Sequence, residues 1–156
     1  MNRKWIGFAA SAALVAALSI SSGLSSAQEK KEEHDTPLGK IMEKVQKHNI
    51  TITKATRNAA QFKRGQKDVE KSAKDLVKLA KEAKPFKEAY LKNAKNETEP
   101  QKKWDEIMDA FAKTSHDLAG IAAKEGVSQK EAKSAFQTVK KTCADCHTVF
   151  RVEEDF

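Results

Sequence analysis

From Leu38 onward the large apolar residues of this chain recur at intervals of three, four and seven, and valine and isoleucine are too scattered to form alternating strands. That periodicity belongs to helices and leaves no candidate strand. Thr36 and Pro37 form a cap followed by a proline at the first helical position. They open helix one, whose inward positions are Leu38, Ile41, Met42, Val45, Ile52, Ala59 and Phe62, with Gly65 as its stop. Helix two runs from about Gln66 to Lys84 through Val69, Ala73, Leu76, Val77, Ala80 and Ala83, and Pro85 ends it. The segment PFKEAYLKNAKNETEP is the longest connection, with room for one short helix through Tyr90. It reads equally as a solvated link and as a partner-binding loop. Helix three starts near Pro100, presents Trp104, Ile107, Met108, Phe111, Leu118 and Ala122, and stops at Gly126. Ser128 and Glu131 have capping-box spacing. They open helix four, with Ala132, Ala135, Phe136, Val139, Cys143, Cys146 and Phe150 inward. The expected fold is all-α, an antiparallel up-down-up-down four-helix bundle. Its many inward alanines make a thin core, and its large residues gather at one end. Such a bundle has room there for something other than side chains.

The first residues have a different composition. MNRKW is cationic, IGFAASAALVAALSI is apolar and shorter than a membrane span, and SSGLSSAQ supplies small residues. Residues 1–27 are expected to be a secretory signal cut after Ala27, residues 28–35 a charged flexible tail, and residues 36–156 the bundle. An uncleaved anchor is the alternative reading. The protein is therefore expected outside the cytoplasm, in the periplasm or beyond it, with no membrane span in the mature chain. The formal charge of +7 is spread among interleaved acids, and aromatic residues are few. Nucleic-acid binding calls for a one-sided basic stripe with stacking aromatics, so it is not expected. The charge supports a preference for acidic partners or surfaces. No acid–base constellation, phosphate loop or nucleophile–base pair points to an enzyme.

The chemistry lies near the end, in KTCADCHTVFR. Its two cysteines, Cys143 and Cys146, are the only ones in the chain, and His147 follows directly. A dithiol switch usually accompanies a βαβ pattern, which is missing here. A zinc site needs four ligands, and His34, His48 and His116 do not cluster with the motif in sequence. The remaining reading is covalent haem attachment. Two thiols at this spacing can add to the two vinyl groups of one porphyrin, and the next residue, His147, can coordinate the iron from one face.

The stretch TCADCHTVFR on the last of four helices resembles the class II c-type cytochromes, the cytochrome c prime family and its low-spin relatives. Their motif is Cys-x-x-Cys-His followed by x-x-Phe-Arg, and Phe150 and Arg151 fill those places. The resemblance implies haem c held by thioethers at Cys143 and Cys146, with His147 as the proximal ligand of the iron. Many members carry lysine after the arginine, where this chain has VEEDF. In the family the residue on the opposite iron face comes from the start of the first helix, and low-spin members use methionine.

Met42 stands there, five residues after Pro37 and level with His147 in an up-down bundle. Its thioether is a soft ligand suited to haem iron. Met42 is accordingly expected as the sixth ligand, with Met108 the alternative methionine. His48 lies six residues past Met42, about 9 Å farther along the helix. Ile41, Val45, Phe86, Trp104, Ile107, Met108 and Phe150 are expected around the haem, with Arg151, Lys40 or Lys44 near a propionate. The function expected is one-electron transfer to a redox partner protein, for which the charge favours an acidic surface. Two rivals stand beside it: a five-coordinate cytochrome c prime binding nitric oxide or carbon monoxide, and a haem-free helical protein with a Cys143–Cys146 disulfide. Pairing of two chains through helices one and two is common in the resembling family and leaves a homodimer open.

Overall fold

The computed structural model describes residues 36–91 and 94–151. The expected signal, its cleavage site, the tail with His34, and residues 152–156 lie outside the described residues. Among the described residues the chain forms four long helices and one short one: α1 (Pro37–Ala55), α2 (Ala59–Ala83), α3 (Glu88–Leu91), α4 (Pro100–Ala122) and α5 (Gln129–Phe150). The four long helices run up, down, up and down, an all-α four-helix bundle.

Each start has a local cause. The Thr36 hydroxyl accepts from the Gly39 amide at 2.9 Å, ahead of Pro37. Asn58 caps α2 by accepting from the Gln61 amide at 2.9 Å. Ser128 and Glu131 form both halves of a capping box at the start of α5, so two of the helix's otherwise unpaired amides are satisfied.

The first interhelical turn differs from the sequence expectation. Helix α1 stops at Ala55, and Ala59 and Phe62 belong to α2. Gly65 is no stop; it sits inside α2, where a Cβ would come within 3.0 Å of the Ala55 Cβ. The apolar period runs unbroken through the turn, so periodicity alone does not mark it. Thr56 caps the end of α1 and Asn58 the start of α2, and neither was singled out by the apolar period.

The core runs the length of the bundle. Phe62 and Phe136 are buried toward one end, Phe111 at the middle of α4, and Trp104, Met108 and Phe150 toward the other end. Of the alanines expected inward, Ala73, Ala80, Ala83, Ala122 and Ala132 are buried; Ala135 is half-buried, and Ala59, in the first turn of α2, is exposed. Close backbone approach joins α1 to α2, α2 to α4 and α4 to α5, whereas α1 and α5 scarcely approach one another. The ring of four helices is thus open along one edge. No helix among the described residues is long and apolar enough to cross a membrane.

Candidate functional site

The open edge is where the chemistry-bearing residues gather. Gln129, at the start of α5, donates from its side chain to the Thr56 carbonyl at the end of α1, which fixes the flank of α5 that faces α1. His147 comes eighteen residues later, about five full turns at 3.6 residues per turn, and so returns to the same flank. It is exposed there. Cys143 and Cys146 lie one turn apart on the inward side of this strip, half-buried and packed against the core.

Across the edge, Met42 is half-buried and packs against the same core. On α1 the flank toward α2 is marked by Ala55, which meets Gly65, and by His48, which lies in the field of Asp75. Met42 is about 120° round the helix from His48, on the other flank. The structure therefore puts Met42 and His147 at the same end of the bundle, on the flanks of α1 and α5 that face each other. Met108 is buried in the core at 4% exposure. Its neighbour Asp109 is ion-paired to Lys84 at 2.7 Å, so that flank of α4 looks toward α2, away from the open edge.

The two thiols are shaped by burial. Desolvation pushes Cys143 above the usual thiol range, partly offset by a backbone hydrogen bond and the Lys140 ammonium. Burial pushes Cys146 up to about 12, with the neighbouring Cys143 adding to the rise. Both thiols are therefore neutral at pH 7, unlike the low-pKa thiols of redox switches. Lys140 sits with its ammonium 5.0 Å from the Phe136 ring centre. Asp145, between the cysteines, holds Lys141 on the outer face at 2.9 Å. Among the described residues no three His, Cys, Asp or Glu side chains group as a metal cluster, and the zinc reading draws no support from the structure.

Of the residues expected around the site, Ile41, Val45, Trp104, Ile107 and Phe150 are buried in the core. Phe86 is not: it is 42% exposed. Its amide donates to the Ala83 carbonyl in the turn that ends α2, and this turn carries the ring out of the bundle. Arg151 is exposed and extended, capping α5. Lys40 and Lys44 are exposed on α1. Sequence reasoning missed the part played by Tyr90, whose ring stacks on Trp104 with centres 6.1 Å apart.

A family model described as Cytochrome C' matches residues 39–151, most of the chain and nearly all of the bundle's helical span. The chain belongs to the cytochrome C' family. Comparison with curated proteins and with solved structures finds no match. Cytochrome C' proteins bind haem c with its iron, serve electron transfer or gas binding, and are typically periplasmic. The residues at the open edge fit such a group in kind: two neutral thiols one turn apart, an imidazole beside them, and a thioether opposite.

Proposed function

We propose that this cytochrome C' family member is an exported electron carrier whose single haem has both axial positions filled, by His147 and Met42. Cys143 and Cys146 would each add their S–H across one vinyl group, forming a C–S bond and tying the porphyrin to α5. The bound iron supplies the chemistry, cycling by one electron between its ferric and ferrous states. The protein's part is to hold an imidazole on one side and a thioether on the other, to bury the group against the Ile41, Val45 and Ile107 side of the core, and to leave one edge accessible. What supports filled axial positions is that Met42, half-buried against the core, stands near the start of α1 and His147 near the end of α5, which share one end of an up-down bundle.

The partner in this reading is a redox protein with an acidic face. Lys40, Lys44, Lys47 and Lys54 give α1 a cationic exterior, and among the described residues none of them has a carboxylate within ion-pair distance. Export rests on the signal read at residues 1–27. The test of the ligation is Met42→Ala in the haem-loaded protein. Loss of the thioether should convert low-spin to high-spin absorption and open the iron to carbon monoxide. An unchanged low-spin spectrum would remove Met42 from the iron.

A further inference from the structure

The short helix α3 and the connection that follows it are each tied to the helix that carries His147. The Lys95 amide donates to the Val149 carbonyl at 3.0 Å. Val149 lies in the last turn of α5, whose final carbonyls have no donor further along their own helix. The second tie is aromatic. Tyr90 stacks on Trp104 at an interplanar angle of 19°, and Trp104 meets the edge of Phe150 with ring centres 5.2 Å apart. Trp104 is itself fixed, 2% exposed and donating its indole N–H to the Lys84 carbonyl at 3.1 Å. Ala94 packs against the core between the two ties. The chain turns away at Asn96, where φ is 54°, a left-handed conformation that asparagine tolerates and β-branched residues do not.

We propose that Tyr90, Lys95 and Asn96 form a clamp that holds the last turn of α5, making them positioning residues for the His147 imidazole. A helix end is ordinarily the first part of a helix to fray. His147 stands three residues from this one, and α5 ends at Phe150 without a glycine cap. The Arg151 amide returns to the His147 carbonyl at 3.2 Å, and the clamp adds its hold on this turn from the side. The segment that reads in sequence as a solvated link thus acts on the axial ligand through main chain and ring contact. This inference rests on His147 being an axial ligand of the haem.

The test compares Asn96→Val with Gly126→Val in the haem-loaded protein. Both put a β-branched residue at a positive φ, 54° at Asn96 and 72° at Gly126, and Gly126 lies at the opposite end of the bundle. Amide hydrogen exchange at residues 148–151 and the reduction potential are measured in each. Asn96→Val should speed exchange there about tenfold, the effect of losing roughly one hydrogen bond, and shift the potential, while Asn96→Gly restores both. Gly126→Val should leave both at their original values. Equal effects from the two valine variants, or faster exchange at 148–151 with an unmoved potential, would overturn the clamp. Should Asn96→Val fail to fold, Tyr90→Leu, which removes the stacked ring and leaves the turn intact, is read by the same two measurements. Failure of the ligation itself shows separately, in the absorption spectrum of the unaltered protein.

Discussion

Burial, more than any neighbouring charge, sets the state of the two thiols. That gives a pH dependence confined to the haem-free protein. A thiol whose folded pKa is raised binds its proton more firmly when folded. The stability it contributes is full below the unfolded value of about 8.5 and is lost as pH rises toward the folded value, about 12 for Cys146. Thermal melts of the haem-free protein should therefore fall between these limits more steeply than melts of a Cys143→Ala, Cys146→Ala variant. A thioether does not ionise, so the haem-loaded protein should lack this extra alkaline loss. Parallel slopes for the haem-free protein and the variant would contradict the burial argument. At the same scale, Phe136→Ala empties a site only 1% exposed and should cost about 3–5 kcal/mol in denaturant titrations.

Among the elements, the α1–α2 contact leaves little room for a side chain at Gly65. A Cβ added at Gly65 would lie 3.0 Å from the Ala55 Cβ, tighter than ordinary contact. Gly65→Leu should push the helices apart and destabilise the bundle by about 1–3 kcal/mol, despite leucine's better helix propensity. A variant as stable as the original would show that the contact yields. This contact also marks where the sequence stopped being legible. Helix existence, the capping box at Ser128 and the short helix near Tyr90 could all be read, because caps and apolar period act locally. The α1–α2 boundary could not, because apolar residues continue at helical spacing through the turn, and Gly65 looked like a stop when its role is close packing. The exposure of Phe86 was hidden for a related reason: a single aromatic after a proline carries no period to say which way it faces. The Lys95–Val149 bond left no trace at all, since a backbone amide donates whatever its side chain.

At the scale of the whole molecule, the arrangement is a ring of helices packed on three edges and open on the fourth. The residues fitted to hold a haem stand along that fourth edge. The motif at Cys143, Cys146 and His147 was visible in the sequence, and the expectation that Met42 stands near the same end came from the up-down order of the helices. The flanks on which Met42 and His147 stand needed the contacts of Gln129, His48 and Ala55 to establish. The cationic exterior of α1 belongs to this scale too. Electron exchange with an acidic redox protein should slow as salt rises, because exposed charges are screened over about 8 Å at physiological ionic strength. Replacing Lys40, Lys44 and Lys47 together with glutamine should flatten that dependence, and a salt response unchanged by the triple variant would place the docking face elsewhere.

The central claim is that the iron is closed on both sides. It is tested most directly by the absorption spectrum of the protein exported from a host with c-type haem maturation, recorded oxidised, reduced, and reduced under carbon monoxide. Low-spin bands that stay fixed under carbon monoxide are the expected result and mean an electron carrier with His147 and Met42 in place. High-spin bands that shift on addition of the gas would contradict it, leaving Met42 packed beside an open iron and gas binding as the function.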